Sequence, residues 1–457
     1  MVRLVKITTF LFCACLAMAA QAANVKLAES EFKRAISIIE NTQLELFTDT
    51  PPADSADILQ TLESRFIDRS EKLDPQTPDN KKNKQELRIA LMRSLLSETI
   101  EAYSDQYANY ITPDALKRYQ ERRSGNYEGV GLKFRTVADE YPLVIGPIID
   151  GPLDHSDLLP GDKIIEANGY DLKGLTNSQV VGQLKGPAKS PIDLKLKRNG
   201  KIFHVVGRRG PVELKYADAE IIKDNIGYIK ISRFGGNTHK EVRKLLGNLI
   251  DHKVSGIILD LRDNPGGSTR AARAIVSMFS EEPWIYFEKN KAGAIKQLPR
   301  HGEYMTDLPL AVLINGDSMS SSEIVAGALK SFGRGTLIGS PSFGKGLVQR
   351  VFNLKMPLGG AIRTTIAEFG TPDHQPIHGA GITPDISLET SADFMFRRSG
   401  SLNIRDNAKA FQRALLEESV RKDHADKADV LINATDAQLN RAIDEITRVT
   451  SSADLKY

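Results

Sequence analysis

Sulfur chemistry is nearly absent from this chain. Of its 457 residues only two are cysteine, and both, Cys13 and Cys15, fall in the first apolar run. With that run removed the remainder has no thiol, so neither disulfides nor cysteine ligands can shape it. Long apolar stretches are equally scarce. Only Ile7 to Ala19 stands out, and it is too short to span a bilayer comfortably. An excess of one charge is missing too: 61 basic residues face 58 acidic ones. No long block of like charge appears, which excludes the electrostatic footprint of a nucleic-acid binder. No internal repeat and no low-complexity tract is found.

What the beginning does have is an export pattern. Arg3 and Lys6 precede the apolar run, and Ala20-Gln21-Ala22 offers a small-x-small cleavage site. Residues 1–22 are therefore expected to be a signal peptide, and the mature chain to be exported, in a bacterium to the periplasm. A retained membrane anchor is the alternative. A lipoprotein site at Cys15 is disfavoured because Phe12 stands where an aliphatic residue belongs.

Three composition changes divide the rest. Apolar residues recur at helical spacing from 23 to 125, predicting a helical N-terminal domain, with breaks at Thr50 and Asp74. Residues 126–209 change to short strands and turns. From 210 to 390 buried-type strands alternate with amphipathic helices, including Thr238 to Asp251 and Thr269 to Phe279, which indicates an α/β core. Residues 391–457 predict a basic connection and two amphipathic helices packed on that core. The expected class is multi-domain α+β.

The chemistry concentrates in Ala311 to Gly333. Ala311 to Ile314 predicts a buried strand, Glu323 to Phe332 a helix ending at Gly333, and four serines lie between: Ser318, Ser320, Ser321 and Ser322. A hydroxyl at a helix N-terminus sits beside free N–H groups and a dipole that favours developing negative charge. A serine needs a base, and no histidine is near. Lys345 lies between Gly344 and Gly346 at the start of a strand in which Lys345, Leu347 and Gln349 would share one face. Without chemistry, Ser320 and Glu323 still fit a capping box and Lys345 a solvated loop. His374 and His378 are four apart, but Pro376 between them precludes one helical face, so no metal site and no cofactor is expected.

Asn315-x-x-Ser318-Met319-Ser320-Ser321-Ser322-Glu323, followed by Gly344-Lys345-Gly346-x-Val348-Gln349, resembles the signature of the carboxyl-terminal processing (tail-specific) serine proteases. The resemblance implies Ser320 as nucleophile, Lys345 as general base, Gln349 as its positioning residue and Glu323 as support. Met319 and Ser321 replace the family's usual alanines. Asp260-Leu-Arg-Asp-Asn264-Pro-Gly266-Gly267 resembles the family motif whose glycine amide supplies half of the oxyanion hole, here Gly266 or Gly267, with the Ser321 N–H as the other half. The core is then expected to be of the ClpP/crotonase-like type. Asp105 to Leu116 resembles a family segment that precedes its binding module, though an ordinary helix-loop-helix fits as well.

Residues 126–209 resemble a PDZ domain, most specifically in Leu159-Pro160-Gly161-Asp162-Lys163-Ile164-Ile165 with Asn168-Gly169. Asp154-His155-Ser156 departs from the small residues usual there. In Gly129-Val130-Gly131-Leu132 the glycine-loop N–H groups would hold a peptide carboxylate, with Val130, Leu132 and Val181 or Leu184 lining the pocket. The implied partners are polypeptides with apolar C-termini, with an adaptor or self-association possible through the terminal helices. The expected function is a serine endopeptidase. The alternative is a catalytically silent PDZ protein that binds C-terminal peptides.

Overall fold

The computed structural model describes residues 27, 30–35, 37–38, 81–136, 138–148, 150–388 and 436–454. The expected signal segment with Cys13 and Cys15, the breaks at Thr50 and Asp74, and the first of the two C-terminal helices lie outside them.

After the helical residues 30–35 and 37–38 come α1 (Lys81–Tyr103), β1 (Asn109–Ile111) and α2 (Pro113–Ser124). Then come β2 (Asn126–Gly129), β3 (Leu132–Arg135), β4 (Leu143–Pro147), β5 (Lys163–Ala167), β6 (Tyr170–Asp171), α3 (Asn177–Leu184), β7 (Pro191–Arg198), β8 (Lys201–Arg208) and β9 (Gly210–Glu213). The core follows with β10 (Ala217–Ile222), β11 (Ile226–Ile231), α4 (Thr238–Asp251), β12 (Ile257–Asp260), α5 (Thr269–Phe279), β13 (Trp284–Asn290) and β14 (Ile295–Pro299). It continues through β15 (Leu310–Ile314), α6 (Ser321–Ser331), β16 (Thr336–Gly339), β17 (Leu347–Asn353), β18 (Ala361–Gly370) and β19 (Ile386–Ser387). Helix α7 (Ala437–Asp454) closes the described chain.

The central sheet has the order β10-β11-β12-β15-β16-β19, parallel except for β10 against β11. Its middle strand β15 is a continuous, fully buried apolar run because both faces are covered, whereas the outer β10 carries Asp218 and Glu220. Alternation sorts the side chains of the sheet: Ile257 and Leu259 pack with α4, α5 and α6, while Ile258, Ala311 and Leu313 face Leu439, Ala442 and Ile446 of α7. The spans of α4 and α5 agree with their apolar spacing. Helix α5 starts where the Ser268 hydroxyl accepts the Ala271 N–H at 3.3 Å.

A second, antiparallel sheet runs β1-β18-β13-β14, with β17 also on β18. Here the stretch expected to be wholly helical departs from expectation, since β1 joins this sheet with Asn109 opposite Arg363. Three residues are too few to show a strand period, and their partner lies far along the chain. Beside β1, Leu91, Leu95 and Leu96 of α1 pack on Tyr110, Leu354, Leu358 and Ile362. A third sheet, β3-β4-β5-β7-β8 with β6 on β5, closes around α3. Its edge strands are β3 and β8.

Candidate active site

Three loops at the carboxyl ends of β12, β15 and β16 form the site. The first is anchored by Asp260, fully buried at the end of β12. Its carboxylate meets Arg262 Nη2 at 2.7 Å and Lys230 Nζ at 3.0 Å and accepts the Tyr228 hydroxyl at 2.6 Å. Burial pushes this carboxyl up, but the Arg262, Lys230 and Tyr228 contacts outweigh it and hold the pKa below the usual aspartate value. Asn264 then folds the turn: its amide donates to the Ile231 carbonyl at 2.8 Å, and its Oδ1 accepts the Gly266 N–H at 2.9 Å.

The serine loop is stitched to this turn by its own hydroxyls. Ser318 Oγ donates to the Leu261 carbonyl at 2.9 Å, Ser321 Oγ to the Gly267 carbonyl at 3.1 Å, and Ser322 Oγ to the Asn264 carbonyl at 2.8 Å. Ser320 differs. Its hydroxyl makes no hydrogen bond among the described residues, and it alone of the four sits in strained backbone, with φ 58° and ψ −111°. Ser322 N–H donates to the Met319 carbonyl at 3.1 Å, so Ser320 takes the first central position of a tight turn of the type that glycine normally occupies. The capping-box arrangement is present, yet the Glu323 N–H goes to the Ser320 carbonyl at 2.8 Å and no cap hydrogen bond reaches the hydroxyl.

Around Ser320 the backbone leaves room and donors. A methyl on Gly266 (φ 87°) would stand 2.5 Å from the Met319 carbonyl oxygen and 2.8 Å from Ser320 Cβ. With the Gly266 N–H occupied by Asn264, the Gly267 and Ser321 N–H groups are the ones without a partner among the described residues.

Glu323 ties the serine loop to the third loop. Its buried carboxyl accepts the Ser342 hydroxyl at 2.7 Å and the Gly344 N–H at 2.6 Å on one oxygen. The other oxygen accepts the Ser320 N–H at 2.7 Å and the Lys345 N–H at 2.9 Å. Positions 320 and 345 are thus held on a single atom. Burial raises the Glu323 pKa; the four donors pull it down without cancelling that. Every neighbour is a donor, which is what an ionised carboxylate needs.

Lys345 is half-buried, and a methyl on Gly346 beside it would lie 2.4 Å from the His378 backbone nitrogen. Its Nζ stands 4.4 Å from the centre of the Tyr107 ring and has no hydrogen bond or ion pair among the described residues. Burial lowers its pKa and Arg363 adds to that, while Asp105 and Glu323 oppose it. The register of β17 on β18 shifts between Val348 and Gln349, with Ile366 of β18 the extra residue, and the Gln349 amide nitrogen donates to the Leu347 carbonyl and to Thr365 Oγ1, each at 3.3 Å. His374 stacks against Phe287, with ring centres 5.0 Å apart.

Gly129 ends β2, which pairs with β9 in a separate two-stranded sheet, and Leu132 opens β3, an edge strand of the third sheet. Val130, Leu132 and Leu184 are buried together around α3. Val181 is only half-buried, and its neighbour Val180 fills the core instead. Gly131, at φ 68°, has Pro152 where a side chain would go. An edge strand that begins at a glycine loop is a sheet border of the kind to which extended peptides add as a strand.

Sequence comparison decides what these parts belong to. The profile of Peptidase family S41 matches residues 225–388, and that of the PDZ domain matches residues 120–197. The carboxyl-terminal-processing protease of Synechocystis sp. is 32% identical over 302 residues, covering 64% of this chain and 70% of the relative. The chain belongs to peptidase family S41. The carboxy-terminal-processing protease of Bartonella bacilliformis is 33% identical over 295 residues, with 62% and 67% covered. A solved photosystem II D1 C-terminal processing protease aligns over 80% of this chain and 94% of its own, at 22% identity and TM-score 0.49. This S41 peptidase is therefore a C-terminal processing serine protease by family, of mixed helix and sheet, with a PDZ domain. No described helix is long and apolar enough to cross a membrane.

Two features of the site had no signal in the sequence reading. Tyr107 reaches Lys345 from the segment before β1, where only a family-like stretch was visible. The division of labour among the serines depends on carbonyl partners more than 50 residues away.

Proposed function

We propose that the protein is a serine endopeptidase with a Ser320/Lys345 dyad, cleaving exported proteins whose C-terminal tail its PDZ domain has gripped. The observation that carries this reading is Ser320, the one serine of its loop whose hydroxyl has no partner among the described residues, held in strained backbone beside two N–H groups that also lack one there. Strain of that kind costs about 1–3 kcal/mol and persists where function requires it. Glycine would remove the cost, but also the nucleophile.

In the proposed reaction Ser320 Oγ attacks the peptide carbonyl carbon as its proton passes to Lys345 Nζ. The oxyanion takes hydrogen bonds from the Gly267 and Ser321 N–H groups, of the two candidate glycines the one whose N–H is not already used; such donors are worth about 3 kcal/mol each. The C–N bond then breaks, and Lys345 returns the proton to the leaving amine. Water, deprotonated by the neutral lysine, attacks the acyl carbon and frees Ser320. Glu323 holds the two backbones together, and Gln349 acts on the base only if its amide turns from Thr365. The PDZ domain, with Gly129, Val130, Gly131, Leu132 and Leu184, would take the substrate's C-terminus. A neutral lysine is needed, so kcat/KM should rise with pH through a Lys345 pKa below the ordinary value of about 10.4.

The test is hydrolysis of an apolar-tailed peptide by Ser320→Ala and Lys345→Ala. Both should lose turnover while keeping the fold and peptide binding. Near-normal activity in either removes the dyad. Export and signal cleavage after Ala22 complete the proposal, read from the N-terminus of protein recovered from the periplasm. Dependence on an adaptor would show as activity that appears only when a partner is added.

A further inference from the structure

We propose that Tyr107 is a positioning residue for the Lys345 amine, its ring face forming a seat that the N-terminal segment brings to the serine loop. This rests on the dyad reading above. The Lys345 Nζ lies 4.4 Å from the centre of that ring and has no other polar partner among the described residues. The long lysine stem would otherwise be free to rotate toward water. An aromatic face suits both forms of the amine: it attracts the ammonium through its quadrupole and offers the neutral base an apolar surface.

The seat is itself fixed at three points. The Tyr107 N–H donates to Asp105 Oδ1 at 2.8 Å, and the Ala108 N–H donates to the same oxygen at 3.0 Å. The Tyr107 carbonyl accepts Arg363 Nε at 3.2 Å, on the strand that pairs with β1. Helix α1, just upstream, packs on the far end of the β17–β18 pair through Leu95, Leu96, Leu354 and Ile362. Arg363 therefore has two effects: it holds the Tyr107 backbone, and its charge disfavours the Lys345 cation. Asp105, from the turn before β1, and Glu323, from α6, face the same amine and favour the cation. Tyr107 tips the balance by keeping water away.

The experiment uses the full-length enzyme and an apolar-tailed chromogenic peptide, with Ser320→Ala and Lys345→Ala assayed alongside. Tyr107→Ala should lower kcat by about 10²-fold, the scale of a misplaced reacting group, with KM changed less than about twofold. The acid limb of its kcat–pH profile should move to higher pH as the amine becomes hydrated. Tyr107→Phe, which keeps the ring face, should restore both kcat and the limb. Tyr107→Leu, which keeps apolar bulk without the ring face, should lower kcat as alanine does while shifting the acid limb less, and serves if the alanine variant does not fold. The inference is overturned if Tyr107→Ala or Tyr107→Leu keeps the parental kcat and acid limb, or if Tyr107→Phe is as impaired as they are. Those results count against the seat alone when Ser320→Ala and Lys345→Ala are inactive. If these two controls are active, the dyad itself fails.

Discussion

Replacing Ser320 by glycine should make this peptidase more stable while removing its activity. Ser320 holds φ 58° and ψ −111°, which an L side chain occupies at a cost of about 1–3 kcal/mol and glycine without that cost. Alanine is the right reference, because the Ser320 hydroxyl has no hydrogen bond to lose among the described residues. Glycine also gains about 0.5–1 kcal/mol of unfolded-chain freedom, which offsets part of the relief. The net advantage of Ser320→Gly over Ser320→Ala is then about 0.5–2 kcal/mol. For a core of this size each kcal/mol moves the midpoint by roughly 2–4 °C. Thermal unfolding of the two inactive variants, side by side at one concentration and pH, reads it directly. If the glycine variant melts at or below the alanine variant, position 320 is not strained and the functional argument built on strain loses its basis.

Other substitutions probe the surrounding scaffold. Glu323→Gln turns an NH2 group toward donors that met a carboxylate, and should cost about 1–3 kcal/mol for each buried donor left unmatched; denaturant unfolding measures it. Gly266→Ala forces a methyl to 2.5 Å from the Met319 carbonyl at a positive φ, so peptidase activity should fall by orders of magnitude even where circular dichroism shows a folded core. Acid stability tests Asp260. Its pKa is lower in the folded state, so its contribution is present above the unfolded value of about 3.9 and is lost as pH falls through the folded one. Urea midpoints followed below pH 4 should therefore drop more steeply for the parent than for Asp260→Asn; parallel slopes would remove the assignment.

Much of the fold could be read from local pattern. Strand β15 is an uninterrupted apolar run, as a parallel strand covered on both faces is expected to be, and the stripes of α4 and α5 and the Ser268 cap of α5 are local. Strand β1 could not be read, since three residues carry no period and its pairing with β18 spans most of the chain. The same limit applied within the site. The serine cluster was visible, but which hydroxyl is idle depends on carbonyls at Leu261, Asn264 and Gly267, supplied by another loop. Between Gly266 and Gly267 the sequence offered no distinction, whereas the Asn264 side chain occupies one N–H and leaves the other. Tyr107 lay in a segment whose geometry only its contacts define.

The most direct test of the account is intact-mass and peptide mapping after incubation with a peptidyl phosphonate that mimics an apolar-tailed acyl donor. The account predicts one adduct, on Ser320, absent from Ser320→Ala and formed far more slowly in Lys345→Ala, with labelling that speeds up as pH rises. An adduct on Ser318, Ser321 or Ser322, or labelling of Ser320 at an undiminished rate without Lys345, would contradict it.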